Sequence, residues 1–388
     1  MRYRTSAIRS PPIVKLAEVA KRIMGSSNFL DLGQGVPGHI PPSNVLNALS
    51  ERIAHPVTHR YTSDQGHLEL REELALYLRQ TSNIDVDPQK ELTITAGGNQ
   101  AFAGTVFTII EPGDEVIIPS PYYFNSVMAV QLAGGIVKEV SVDERFQPDV
   151  QGIENAITQR TKCILLISPN NPTGAVYDQK KVDAIVDLCI QNDILLVSDE
   201  AYSRLVFNDT THYSPRRRKD ATDSIITLGS FSKDFGVSGW RVGYAIGPSE
   251  FMNEFLKVQD TISICAPTPG QIMVLEALKS DQTWVEEEIH RLGLLREFAY
   301  LRIREIDAFD VVETKGTFYL FPKVKGCTNS NELVLELLQS TETLVLPGSV
   351  FGNAGEGHIR ISIGPLTPDA VDEAFNRLSD FFSNYRSE

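Results

Sequence analysis

The sequence predicts an α/β fold. A doubly wound, mostly parallel sheet forms a large domain, and a smaller α+β domain accompanies it. Three observations carry this. Short apolar runs of strand length alternate with stretches of helical period, the pattern of βα units. Loops after several of these runs hold glycine, proline, hydroxyl and charged residues, as loops do at the carboxyl ends of parallel strands. The chain has 388 residues, enough for two domains. The expected division is a large domain over residues 44–283 and a small one built from residues 1–43 and 284–388.

Taken in order, residues 29–32 begin a short extended segment. Gly33-Gln34-Gly35-Val36-Pro37-Gly38 follows, a literal G-x-G-x-x-G. A dinucleotide loop would open a helix and place an acid about 20 residues on. Pro37, Pro41 and Pro42 break the turn and Thr58 stands where the acid should be, which excludes that reading. Ser43 suits the N-cap of a helix over 44–53. The loop from Arg60 and Tyr61 to Gly66 leads into leucines at helical spacing over 68–78.

Residues 92–96 alternate like a strand. Gly97, Gly98, Asn99 and Gln100 follow, then an apolar helix over 101–110. A strand, a glycine turn and a helix start offer free backbone N–H groups and the positive end of a helix dipole, an anion site. Residues 116–118 form the next strand, with Tyr122 and Tyr123 in the loop beyond it. The strand over 163–167 ends in Ser168-Pro169-Asn170-Asn171-Pro172-Thr173-Gly174. A helix over 179–191 and a strand over 194–197 lead to Asp199, Glu200 and Tyr202.

Apolar runs over 224–228 and 242–246 flank the most informative stretch, which holds Ser230, Ser232, Lys233 and Arg241. A lysine at the mouth of a buried sheet, beside hydroxyls and an arginine, suits one kind of chemistry. The amine condenses with an aldehyde, and the hydroxyls and guanidinium hold a dianionic phosphate. Pyridoxal 5'-phosphate carries both groups. Beyond it, residues 258–265 and 271–278 are apolar and a charged helix covers 284–304. Strands near 317–321, 343–346 and 358–363 read as the smaller domain. Arg360 lies inside the last of these, and an arginine in a strand needs an anion partner.

The net charge of −14 argues against nucleic acid or an anionic membrane as partner. The exception is Arg216-Arg217-Arg218-Lys219, which follows a proline outside any apolar period and is expected to be a solvated loop. Cys163, Cys189, Cys265 and Cys327 are far apart and form no metal-type pair. They read as free, buried thiols of a reducing compartment, and no metal site is expected. No apolar run approaches a membrane span. The first 17 residues are basic and free of acids, as in a transit peptide, but Pro11 and Pro12 interrupt any long amphipathic helix there. A cytoplasmic location is expected.

The stretch around Lys233 resembles the cofactor-lysine motif of the class I aminotransferases, the fold-type I pyridoxal phosphate enzymes. The pattern is Ser-x-Ser-Lys, a glycine-containing turn, then Arg-x-Gly, with the arginine eight residues past the lysine, the separation of Lys233 and Arg241. The resemblance runs through nearly the whole chain and implies a seven-stranded sheet. It implies that Lys233 holds the cofactor aldehyde and moves the substrate proton. Gly98, Asn99, Ser230 and Arg241 would bind the phosphate, and Tyr123 would stack on the ring. Asp199 would pair with the ring nitrogen, making the ring an electron sink. Asn171 and Tyr202 would face the ring hydroxyl oxygen. Arg360 and Asn171 would anchor the substrate α-carboxylate, with Gly35 passing close by. Tyr61 matches a tyrosine that reaches the cofactor phosphate of a neighbouring subunit, which implies a homodimer.

Two competitors are weaker. Ser230-Phe231-Ser232-Lys233 fits the S-x-x-K of serine acyl-enzymes, but K-T-G and S-D-N partners do not occur. A cofactor-binding sensor domain would be expected behind a DNA-binding module and on a less acidic chain. For the substrate, no arginine lies between Val242 and His290, where one dicarboxylate-specific subgroup of the family has it. The segments around Gly35, Tyr123 and Cys265 resemble aminotransferases of aromatic amino acids, methionine and kynurenine. A pocket lined by Tyr123 and the Ile13 arm would suit an apolar side chain. Aspartate transamination and β-elimination from cysteine conjugates are the alternative reactions.

Overall fold

The structure is a computed structural model describing residues 3–8, 13–23, 25–26 and 28–384. Seven strands build its central sheet: β1 (Leu92–Thr95), β2 (Glu115–Ser120), β3 (Ile136–Ser141), β4 (Thr161–Ile167), β5 (Leu195–Asp199), β6 (Ile225–Ser230) and β7 (Gly243–Ile246). Their order across the sheet is β1-β7-β6-β5-β4-β2-β3. Only β7 runs against its neighbours β1 and β6. The remaining pairs are parallel, as the alternation of runs predicts.

Both faces of this sheet are covered, which is why its strands read as continuous apolar runs. Successive side chains enter different cores. Ile117, Ile164, Leu166 and Leu196 point into one cluster, which also takes in the carboxyl-terminal helices. Val116, Ile118, Cys163, Leu165 and Val197 point into a second, under the helix Gly98–Ile109. The edge strand β3 has only Val140 buried, so it gives no apolar run and is not predictable from periodicity. The expected helices are present as Ser43–Ile53, Leu68–Ser82, Gln179–Asn192 and Thr283–Ile303.

Glycine lets β6, β7 and the turn after β1 meet. A Cβ on Gly243 would lie 2.7 Å from the Gly229 oxygen, the Gly97 carbon and the Gly98 nitrogen. The start of the helix Gly98–Ile109 is therefore drawn onto the ends of β6 and β7.

Smaller sheets position the other wall of the site. Leu30–Asp31 pairs in parallel with Thr343–Leu344. Ile359–Ser362 lies between Tyr319–Leu320 and Leu346–Pro347. The Ser362 amide donates to the Leu32 carbonyl at 2.8 Å, which sets the glycine turn after Leu32 beside Arg360. The turn opens no helix, consistent with rejecting a dinucleotide loop.

Two local expectations are corrected. Ser43 is not the N-cap: Pro42 occupies that position without a side-chain cap bond, and Ser43 is the first helical residue. The basic run 216–219 is not a solvated loop. Arg216 is buried, donates to the Thr222 and Ile225 carbonyls at 3.0 Å, and pairs with Glu91 at 3.1 Å. Arg217 donates to the Ser82 carbonyl, and Arg218 pairs with Asp187 and Asp220. The run anchors a connection, with Lys219 alone strongly exposed.

The four cysteines are free, three of them buried and Cys327 half-buried. No helix among the described residues is long and apolar enough to cross a membrane.

Candidate active site

A cavity of about 610 Å³ opens where the carboxyl ends of β4, β5 and β6 face the glycine turn and Arg360. Each wall follows from a strand end. β6 stops at Ser230, whose Oγ accepts from the Ser232 amide at 3.3 Å and caps the single turn Phe231–Asp234. That turn carries Lys233 into the cavity. The Lys233 Nζ donates to the Gly35 carbonyl and lies 5.6 Å from the centre of the Tyr202 ring. Burial, reinforced by the Arg360 and Arg241 charges, pulls the amine down to about 8. A neutral, nucleophilic amine is therefore accessible near neutral pH.

β5 ends at Asp199. Burial pushes its carboxyl up to about 6, against the pull of the Ala201 amide, which donates to Oδ1 at 3.1 Å, and of Lys233. No cation among the described residues forms an ion pair with it. A desolvated carboxylate facing a cavity without a counter-ion suits a cationic ring nitrogen.

The anion end is built from backbone. Gly97 has φ +82°, and a Cβ there would sit 2.6 Å from Arg241 Nη2. Arg241 adopts φ +55°, uncommon for a residue with a side chain. Its Nη1 donates to the Ser238 carbonyl at 2.9 Å, so the guanidinium lies against the start of the helix Gly98–Ile109. Gly98, Asn99, Ser230 and Arg241 all line the cavity there. Amide donors, a hydroxyl and a guanidinium make a cradle for a dianion.

The opposite wall holds the second cation. Arg360 is buried, with its guanidinium 4.5 Å from the centre of the Tyr319 ring and 5.2 Å from that of Phe351. Its Nη1 donates to Asn171 Oδ1 at 3.0 Å and its Nη2 to the Gly33 carbonyl at 2.5 Å. Nε has no partner, and no carboxylate among the described residues pairs with this cation. No anion among the described residues meets the demand of an arginine in a strand.

Tyr123 also lines the cavity, its hydroxyl accepting from Asn125 at 2.8 Å, and burial pushes its phenol up. Tyr122, by contrast, packs in the core and donates to Glu139 at 2.7 Å. Tyr202 shares a 2.8 Å hydroxyl contact with Tyr319. Tyr319 is a residue the sequence reading missed. It explains Gly35, since a Cβ at that position would lie 2.2 Å from its hydroxyl. A lone tyrosine in an apolar strand gives no signal beyond core packing.

The structure thus gathers Gly35, Gly98, Asn99, Tyr123, Asn171, Asp199, Tyr202, Ser230, Lys233, Arg241 and Arg360 around one cavity. It does not bring Tyr61 there. That residue is 76% exposed in the single chain. The side chain of Ile13 lies outside the described residues. The same helix, Ile13–Ile23, contributes Leu16, Ala20 and Lys21 to the cavity instead.

The sequence model described as "Aminotransferase class I and II" matches residues 27–378. This chain belongs to that aminotransferase family. It is 33% identical to an aspartate aminotransferase of Pyrococcus abyssi, with 97% of each chain covered. It is 32% identical to the aromatic-amino-acid aminotransferase 2 of Thermococcus litoralis, over 97% of this chain and 96% of the relative. A solved aspartate aminotransferase of Thermus thermophilus superposes with a TM-score of 0.91 at 31% identity, covering 98% of this chain and 99% of the other. An aromatic aminotransferase of Pyrococcus horikoshii superposes with a TM-score of 0.87 at 32% identity, covering 94% and 98%. This aminotransferase therefore has the fold-type I architecture and depends on pyridoxal phosphate. The dianion cradle, the amine and the Asp199 carboxylate, which has no counter-ion among the described residues, fit that cofactor.

Proposed function

We propose that this aminotransferase moves the amino group of an L-amino acid to a 2-oxo acid by a ping-pong mechanism, with aromatic and methionine-like donors favoured. The observation that carries the reading is the meeting in one cavity of the Lys233 amine, the Asp199 carboxylate and the Arg360 guanidinium, the last two without a counter-ion among the described residues. When bound, pyridoxal phosphate supplies the aldehyde that takes the amino group and a ring that accepts the electron pair of the Cα–H bond.

The chain's residues supply the rest. Gly98, Asn99, Ser230 and Arg241 would hold the phosphate, and Tyr123 would cover the ring. Asp199 would hold a proton at the ring nitrogen. Tyr202 and Asn171 would donate toward the ring hydroxyl oxygen. Arg360, oriented by Asn171 and the Gly33 carbonyl, binds the substrate α-carboxylate in two bonds. Lys233 would take the substrate Cα proton at its Nζ and give it back. Its depressed basicity suits this work near neutral pH.

The apolar walls support the donor preference. Leu16, Leu344, Leu346 and Phe124 line the cavity beside Tyr123. We further propose a cytoplasmic homodimer in which Tyr61 completes the phosphate site of the partner subunit. Its exposure leaves it free for that role. A panel of amino donors against several 2-oxo acids, read as oxo-acid product, tests the function. Turnover with aromatic donors and methionine is expected, with parallel double-reciprocal plots. Absence of turnover with every donor in cofactor-loaded protein would overturn it.

A further inference from the structure

Tyr61 stands outside the cavity of its own chain, yet the loop that carries it is firmly held. Residues 60–67 lie against the helix Thr268–Lys279, and the hold centres on one fully buried side chain, Gln271. Its Nε2 donates to the Ala266 carbonyl at 2.8 Å and to the Thr62 hydroxyl oxygen at 3.2 Å. Its Oε1 accepts from the His67 amide at 2.8 Å. The approach is close enough to demand glycine: Gly66 has φ +91°, and a Cβ there would lie 2.8 Å from that same Oε1. Two neighbours complete the hold. Thr268 Oγ1 donates to the Arg60 carbonyl at 2.8 Å. The buried Gln259 donates to the Asp64 carbonyl and, at 2.9 Å, to that of Ile94. Bonds thus fall on both sides of Tyr61, while Gln271 itself lines no part of the cavity.

We propose that Gln271 is a positioning residue for the cofactor site of the neighbouring subunit: it presets the Tyr61 loop, and so sets how firmly the neighbour grips the phosphate. This rests on the shared-site reading of Tyr61. A loop that reaches into another chain binds in proportion to the fraction of time it spends in the competent shape. Left loose, it loses backbone freedom at each docking. Buried amide bonds to Thr62 and His67 impose that order when the chain folds, before subunits meet. The same helix also offers a route within its own chain. A Cβ on Gly270 would lie 2.6 Å from the Trp240 carbonyl oxygen, and Trp240 precedes the phosphate residue Arg241. Damage to the helix would therefore reach the chain's own site, whereas a loosened Tyr61 loop would reach only the neighbour's. The two routes act in opposite subunits and can be separated.

The test uses mixed dimers purified through two different tags. The readout is the pyridoxal phosphate concentration that half-fills the covalent absorption band of Lys233. In the first dimer, a Gln271→Met chain is paired with a Lys233→Ala chain, so the live lysine receives its tyrosine from a neighbour with Gln271 intact. In the second, a wild-type chain is paired with a chain carrying both Lys233→Ala and Gln271→Met. Affinity is expected to be near wild type in the first and about fivefold weaker in the second, with pyridoxal, which has no phosphate, unaffected in both. Thr62→Val, which cuts one loop bond at a half-buried position, should follow the same pattern with a smaller loss. The reverse pattern, equal losses in both dimers, or none overturns the proposal. A Tyr61→Phe homodimer checks the shared site itself: unchanged affinity there sinks that reading and the proposal with it. Weakened affinity there beside unaffected Gln271→Met dimers sinks the proposal alone.

Discussion

At the residue scale the site works by withholding partners. Asp199 and Arg360 are each charged, desolvated and short of a counter-ion within the chain, a costly arrangement unless a ligand completes it. Lys233→Ala is expected to abolish turnover and the covalent absorption band of the loaded enzyme, checked by spectrum and assay. Asp199→Ala is expected to retain some cofactor while lowering kcat by about 100-fold or more, read in the same assay at saturating cofactor.

Asp234, next to the catalytic lysine, is a different case. Burial pushes its carboxyl up to about 7, with only Arg204 acting against it, and one of its oxygens has no partner. A carboxyl raised on folding holds its proton where the unfolded chain has lost it, so its contribution is fully present below about pH 4 and is lost as pH rises through 7. Asp234→Asn should therefore match the wild type near pH 4 and exceed it by on the order of 3 kcal/mol at pH 8. Thermal melts of cofactor-free protein across that range measure it.

Residues that carry unusual chemistry, such as Lys233 and Arg360, were legible in sequence because their types are out of place in apolar surroundings. Tyr319 was not. A tyrosine in a strand is ordinary, and only its placement gives it work.

At the scale of elements, strand ends decide the chemistry. Interior strands β2, β4, β5 and β6 announce themselves as apolar runs, while the edge strand β3, with one buried residue, does not. The basic run at 216–219 misled for a related reason. Local charge says nothing of a distant Glu91 or of carbonyls waiting at Thr222 and Ile225. The tightest junction is at Gly243, where main chain from three elements meets. Gly243→Ala must push the start of the helix Gly98–Ile109 off β6. It is expected to cost about 2–4 kcal/mol of stability and to weaken cofactor binding more than it weakens substrate binding. Urea unfolding and cofactor titration separate the two effects.

At the scale of the molecule, the arrangement of the sheet followed from alternation in the sequence, but assembly did not. Among the described residues, Tyr61 is the one site residue proposed from the sequence that stays outside the cavity of its own chain. Sedimentation should give twice the chain mass of 43.0 kDa. Mixing Tyr61→Ala subunits with Lys233→Ala subunits should restore one working site per mixed dimer, since a loaded Lys233 subunit would then receive an intact tyrosine from its neighbour. Activity after mixing no greater than the sum of the separate variants would contradict the shared site.

The Lys233 amine rests on the main-chain oxygen of Gly35. Every amino acid carries that oxygen, so the berth is lost only by rerouting the segment, whether by a side chain at position 35 pressing on Tyr319 or by loosening the tether from Ser362, which donates to the Gln34 carbonyl at 2.8 Å and through its own amide to Leu32. The idle position of the reactive nitrogen is thus written into the path of the backbone, and a change near residue 362 could unsettle it from the far end of the sequence.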